Sequence, residues 1–224
     1  MAAVDGAGAE PALIDGRRLR VLEARYVRSG PNDAALGAPT HPEVAFVGRS
    51  NVGKSSLLNA LLGTAIARVS KTPGRTRLVN LFNVEVGRVS RTSGQVGEKR
   101  RVSFADLPGY GYAKLSKVEA ATLAAVLSTY LSERRAIALV VHLVDGRIGA
   151  TKEDLAVHRT LGELDVPRLF VATKVDKLGA AERGAVVGKL AKALEVERGR
   201  VLPFSSHTGQ GRDALWSRLW QVAV

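Results

Sequence analysis

The stretch Gly48-Arg49-Ser50-Asn51-Val52-Gly53-Lys54-Ser55 constrains this chain more than any other, because it fits the pattern G-x-x-x-x-G-K-[ST]. It follows the short apolar run Val44 to Val47, which has the character of a buried parallel strand, and it precedes the helical run Ser56 to Leu62. Between a strand and a helix, such glycines let the backbone curl until successive N–H groups and the helix N-terminus point at a phosphate chain. Lys54 then bridges the outer phosphates, and the Ser55 hydroxyl suits a Mg2+ ion.

The remaining pattern extends this unit into an α/β fold. Apolar runs recur at Ala138 to Val144 and Leu169 to Ala172, separated by helical stretches. Between Ser116 and Arg134, the residues Leu123, Val126, Leu127, Tyr130 and Leu131 share one helical face, and Ser116 and Glu119 are spaced as a capping box. A further helix is expected after Thr151, with Asp154 three residues on, and the last carries Leu215, Trp216, Leu219 and Trp220 packed against the sheet. Alternating strands and helices predict a doubly wound three-layer sheet with helices on both faces and a ligand beyond the carboxyl ends of the strands. Residues 1–41 read as an N-terminal extension, disordered over about the first 16, with a strand near 21–27 where Leu22, Ala24 and Tyr26 alternate with charged residues. Ser29 to Pro42 reads as a loop, and 42–224 as the nucleotide-binding domain. Gly87 to Arg101 carries Arg88, Arg91, Lys99, Arg100 and Arg101 against the single Glu98, and reads as a long basic hairpin loop.

Three further motifs lie at predicted strand ends, in the order that a triphosphate site needs. Asp106-Leu107-Pro108-Gly109 ends the run Val102 to Ala105, so Asp106 can hold a water on Mg2+ while the Gly109 N–H meets a γ-phosphate. Thr173-Lys174-Val175-Asp176 selects the base: a carboxylate at Asp176 accepts from guanine N1–H and its 2-amino group, a pair that adenine does not present, and the Lys174 stem lies along the ring. Phe204-Ser205-Ser206 can offer a backbone N–H to guanine O6. Between the Gly48 to Ser55 loop and Asp106, the polar loop Ser70 to Arg77 holds Thr72 and Thr76, either of which could complete the Mg2+ shell when the γ-phosphate is present; Thr76 is the first choice, flanked by Gly74, Arg75, Arg77 and Leu78. Tyr110 follows Gly109 where many Ras-like proteins place a water-orienting glutamine, so unassisted hydrolysis should be slow.

Composition narrows the setting. The chain has no cysteine, which excludes disulfides and Cys-ligated metal, and His41, His142, His158 and His207 lack metal-ligand spacing. No apolar run reaches the ~18 residues of a membrane span, and the start lacks a basic region followed by an apolar core. A formal charge of +12 favours polyanionic partners.

Taken together, GRSNVGKSSLLNAL, SKTPGRTR, DLPGYGYAK, TKVDK and FSSHTG resemble the EngB (YihA/YsxC-type) family of Ras-like ribosome-biogenesis GTPases, from about Tyr26 through the final helix. The resemblance implies a mostly parallel six-stranded Ras-like sheet, a cytoplasmic and monomeric GTPase, and a role in assembling the large ribosomal subunit through its RNA. It also implies the family's link to cell division and septation, and Mg2+ at Ser55 and Thr76, which favours Thr76 over Thr72. Related cation-activated GTPases use the position of Asn51 to bind a potassium ion in place of an arginine finger; the alternative is that Asn51 only shapes the loop. The acidic start and the Gly87 to Arg101 segment match nothing in the family pattern. Two other readings compete: a P-loop kinase of a small metabolite, and a division-site interaction module without ribosome contact.

Overall fold

In a computed structural model of the chain, residues 4–5, 12–14, 17–65, 78–90, 92–111 and 117–224 are described. The elements in chain order are β1 (Val4–Asp5), β2 (Ala12–Ile14), β3 (Arg17–Gly30), α1 (Asp33–Leu36), β4 (Glu43–Gly48), α2 (Lys54–Leu62), β5 (Val79–Val89), β6 (Val96–Asp106), α3 (Lys117–Glu133), β7 (Ile137–Asp145), α4 (Lys152–Gly162), β8 (Arg168–Thr173), α5 (Ala180–Ala193), β9 (Val201–Pro203) and α6 (Arg212–Val222).

The strands form one sheet in the order β1-β3-β5-β6-β4-β7-β8-β9, with β2 paired to β3. From β6 to β9 all pairings are parallel, while β5 joins β6, and β3 joins β5, antiparallel. Every residue of β4 is buried, as a strand between two helical layers requires. One face packs α2 and α6, through Leu57, Leu58, Leu61, Leu62, Leu215, Trp216, Leu219 and Trp220, against Phe46, Phe104, Leu143 and Val171. On the opposite face Leu127, Tyr130 and Leu131 of α3 and Leu161 of α4 cover Ala45, Val47, Leu81 and Ala105, and α5 covers Phe170 and Ala172. Each such side chain contributes about 1.5–3 kcal/mol by leaving water, so α2 and α6 are held chiefly by their apolar faces. Both tryptophans of α6 are buried, as their spacing against the sheet predicts.

The structure differs from the sequence reading in four respects. It has nine strands among the described residues, not six, because β1, β2 and β3 add to its antiparallel edge. The strand placed near 21–27 extends over Arg17–Gly30 and pairs with β5 along nearly its whole length, so residues 17–30 belong to the sheet and a domain boundary at 41/42 does not separate them from it. Ser29 to Pro42 is not all loop: Asn32 caps the short α1, accepting from Ala35 N–H at 3.0 Å. Fourth, Gly87 to Arg101 is mostly paired strand, with Gly87 opposite Lys99 and Val89 opposite Val96, and Ser90 N–H donates to Gln95 O at 2.9 Å just beyond the last pair. Its polar residues misled because a strand exposed on one side alternates charge with packing. Most of the disordered stretch expected over the first 16 residues, and the switch loop with Thr72, Gly74, Arg75, Thr76 and Arg77, lie outside the described residues.

A buried charge cluster fixes the α1, α3 and β4 corner. Arg134, just beyond α3, donates to both Glu43 carboxylate oxygens at 2.6–3.1 Å and to Gly37 O at 2.6 Å, and pairs with Asp33. Tyr130 Oη donates to the same Glu43 at 2.7 Å, so no charge in the cluster is left without a partner.

Candidate functional site

The phosphate end of the site is built where β4 turns into α2. Asn51 (φ 61°) and Gly53 (φ 103°) adopt left-handed backbone, which curls the loop back on itself, and α2 begins at Lys54 with no side chain capping its N-terminus. Gly48 is equally constrained, since a Cβ there would meet Val52 at 2.9 Å and Leu143 O at 3.0 Å. The loop is locked to the strand end beside it: Ser50 N–H donates to Tyr110 O at 2.8 Å and Tyr110 N–H to Gly48 O at 3.3 Å. Gly109 lies so close to this loop that a Cβ would come within 3.1 Å of Ser50 N. The register Phe46↔Asp106 brings the buried Asp106 carboxylate beside the loop, and Lys54 Nζ donates to it. Gly48 through Ser55 and Asp106 through Gly109 thus converge on one point at the carboxyl ends of β4 and β6. Leu78, predicted to lie near the nucleotide, is 39% exposed at the start of β5.

The base end is fastened to the phosphate end by hydrogen bonds across the sheet. Thr173 Oγ1 donates to Val52 O at 2.6 Å, and Lys174, itself left-handed (φ 59°), donates through Nζ to Asn51 O and to Asp145 Oδ2, the latter at 2.8 Å. Burial raises the Asp145 carboxyl, but hydrogen bonds from Arg147 and Lys174 outweigh it and hold its pKa at about 2. Val175 is fully buried and anchors the turn. The Ser205 hydroxyl beside Asp176 holds that carboxyl below the usual range, so it stays an acceptor. Of the three candidate amides after β9, Phe204 N–H donates to Ala172 O at 2.8 Å and Ser205 N–H to Gln210 O at 3.0 Å, which leaves the exposed Ser206 N–H. Ser205 therefore contributes its side chain, which also accepts from His207 and Thr208 N–H at 3.2 and 3.1 Å.

Sequence reasoning missed two parts of this site. Asp145 was signalled only by a polar residue ending an apolar strand, the same signal that marked Asp106. The other is the fate of Tyr110. Its ring is buried, and its hydroxyl donates to Asp154 Oδ1 at 2.7 Å and lies 2.7 Å from His142 Nε2. The hydroxyl has one proton, given to Asp154, so His142 donates from Nε2, and its Nδ1 is the buried atom without a partner among the described residues. Burial, reinforced by His158 and Arg168, lowers the His142 pKa to about 3 and keeps it neutral. Asp154 also accepts from Thr151 N–H and Oγ1 at 2.9 and 2.8 Å, closing the capping box of α4. The residue after Gly109 thus points into the protein, and it ties the phosphate end to α4.

Such a fold with such a site defines a P-loop GTP-binding protein with a Ras-like architecture. Residues 43–174 match the family described as "50S ribosome-binding GTPase". The chain is 41% identical over 202 residues to the probable GTP-binding protein EngB of Myxococcus xanthus, covering 90% of this chain and 95% of that one. It is 44% identical over 184 residues to the same-named protein of Gemmatimonas aurantiaca, covering 82% and 83%. Among solved structures, a probable GTP-binding protein EngB superposes with a TM-score of 0.60 at 26% identity, over 80% of this chain and 97% of that one. Era in complex with MgGDPNP and nucleotides 1506–1542 of 16S ribosomal RNA superposes with a TM-score of 0.62 at 27% identity, over 82% of this chain and 57% of Era. The chain belongs to the EngB family of GTP-binding proteins. Membership of that family favours a GTP-binding protein over a metabolite kinase.

Proposed function

We propose that this protein hydrolyses GTP slowly and uses the GTP-bound state as a switch in assembly of the large ribosomal subunit, in the cytoplasm and as a monomer. The observation that carries the nucleotide reading is the stitched pair of grips: Lys54, Asp106 and the curled loop at one end, and the acceptor Asp176 at the other. The ribosomal reading is supported by the family description, by the charge of +12, and by a structural neighbour solved with ribosomal RNA. The family resemblance also implies a role in cell division and septation.

The donor set fits Mg2+. Hydroxyl and carboxylate oxygens are hard ligands, and among the described residues no group of three His, Asp or Glu side chains could hold a metal without phosphate oxygens. Ser55 and Thr76 would coordinate the ion, and Asp106 would hold a water on it. Mg2+ would supply charge neutralisation on the β- and γ-phosphates. Lys54 would exchange Asp106 for phosphate, the Gly109 N–H would meet the γ-phosphate, and Gly74, Arg75, Thr76, Arg77 and Leu78 would close over it. The inward Tyr110 supports a slow intrinsic rate, because its hydroxyl is committed to Asp154 and cannot orient a water. A potassium ion held at the exposed Asn51 would then supply the missing positive charge. Potassium should therefore accelerate turnover relative to sodium, and Asn51→Ala should abolish the difference; equal rates in both salts would rule the ion out.

Sedimentation of extract with GTP, GDP or a non-hydrolysable GTP analogue tests the switch. Migration with large-subunit particles only in the GTP-like state is expected. Migration independent of nucleotide, or with division-site membranes alone, would refute it.

A further inference from the structure

Strand alternation splits the basic segment about Gly87 to Arg101 into two halves with different fates. Arg88 and Arg100 fall on the face that packs α6, where their guanidinium carbons lie 4.9 and 4.8 Å from the centre of the Trp220 ring. Arg100 also donates to Trp220 O at 3.0 Å, and Glu98 pairs with Arg88 at 3.2 Å and with Arg100 at 2.8 Å. These two arginines are committed to holding α6 on the sheet.

Lys99 and Arg101 point the other way. The register places Lys99 in a row with Gly87 and Arg20, and Arg101 in a row with Glu85 and Glu23; Arg18 and Arg25 lie on the same face of β3. Side chains far apart in sequence thus share one surface. On the helical side of the sheet, α1 and α3 reach Val79, Leu81 and Ala105, but among the described residues no helix side chain joins a core cluster beyond that row. The side chains of Arg25, Lys99 and Arg101 are 50%, 57% and 61% exposed, and Arg18 and Arg20 are exposed without an ion pair among the described residues. Glu85 alone serves both Lys99 at 3.4 Å and Arg101 at 2.9 Å, and Glu23 serves Arg25 at 2.5 Å. With Asp5 of β1 opposite Glu23 in the same row, five cations stand against three carboxylates, an excess of two.

We propose that this helix-free half of the β3-β5-β6 face is a docking surface for the phosphate backbone of RNA, a proposal that rests on the ribosomal reading above and names its contact surface. Arginines presented in rows about 7 Å apart along the strands suit phosphate oxygens, which a guanidinium can bind in a bidentate manner. A lipid surface fits less well, since the apolar side chains beside Gly87 on this face, Val96 at 38% exposed and the half-buried Leu22, are few against five cations, and anionic membranes are gripped by apolar insertion together with charge. RNA also explains why one carboxylate is shared by two cations. Glu85 keeps the strands from repelling each other, yet leaves them positive toward a polyanion.

The test measures binding of the full chain, loaded with a GTP analogue, to purified large ribosomal subunits, to protein-free large-subunit RNA and to anionic phospholipid vesicles, across a salt series. The variant Arg18→Gln, Arg20→Gln, Lys99→Gln, Arg101→Gln is compared with Arg88→Gln, Arg100→Gln and with Glu85→Gln. The first should weaken RNA binding about tenfold or more and make the salt slope shallower by about 0.9 for each phosphate no longer neutralised, with GTP affinity unchanged. The second should lower the melting temperature and leave the slope intact. Glu85→Gln should tighten binding, which keeps the proposal testable even if the fourfold variant folds poorly. Unchanged slope in the first variant and unchanged affinity in the third, with wild type still bound to subunits, would overturn this surface while sparing the ribosomal reading. Wild type bound to neither subunits nor RNA would overturn both. Vesicle binding that the first variant loses, without RNA binding, would assign the face to lipid instead and overturn the proposal.

Discussion

At the scale of single residues, the site relies on groups whose neighbours fix their protonation. The Asp176 carboxyl, which the Ser205 hydroxyl holds below its ordinary value, is an acceptor, so Asp176→Asn puts in its place a side chain that presents a donor to guanine. Loss of a charge-assisted bond costs about 1.5–3 kcal/mol, and titration with labelled GTP should read a fall of about ten- to a hundredfold in affinity. An unchanged affinity would remove Asp176 from the base site. Tyr110→Phe tests the inward relay. It leaves His142 Nε2–H without an acceptor and removes one donor from the buried Asp154, which should lower unfolding stability by about 1–3 kcal/mol in urea titrations. Stability equal to wild type would mean that the hydroxyl carries no structural bond.

At the scale of elements, the clamp on α6 is the most exacting. Trp220 closes the apolar face of that helix, and two guanidinium carbons lie 4.9 and 4.8 Å from the centre of its ring. Trp220→Ala should therefore cost about 3–5 kcal/mol, measured as a drop in the unfolding midpoint, whereas substitution of exposed Lys99 should cost little. Which elements were readable from sequence follows from what fixed them. β4, β7 and β8 are buried on both faces and appear as apolar runs, and α4 carries its start signal in Thr151 and Asp154. The motifs were legible for a similar reason, since a phosphate-binding loop needs particular residues at particular spacing. β3 and the outer part of β6 were harder to see. Their stability comes from pairing with β5, a partner distant in sequence, and their outward positions are charged, so local composition resembles a loop. Tyr110 escaped for the opposite reason: it follows Gly109 of the Asp106 to Gly109 motif, but its own partners, His142 and Asp154, come from β7 and α4.

At the scale of the whole molecule, the depressed carboxyls set the response to acid. The folded pKa of Asp145, about 2, lies below its value of about 3.9 in an unfolded chain. A lowered folded pKa contributes stability that is fully present above the unfolded value and is lost as pH falls through the folded one. Thermal midpoints of wild type and Asp145→Asn should therefore differ most above about pH 4 and converge toward about pH 2; a constant gap would show that Asp145 is not ionised in its pair. The same neighbourhood joins the strand proposed to read the base to the loop proposed to hold the phosphates, through Thr173 to Val52 and Lys174 to Asn51. Two grips on one rigid body act on a nucleotide as the arms of a chelator act on an ion. Once guanine is seated, the diphosphate meets its loop at a high effective concentration, so guanosine and free pyrophosphate should each bind far more weakly than their sum in GDP implies. Loosening the stitch would forfeit that advantage for GDP and GTP alike.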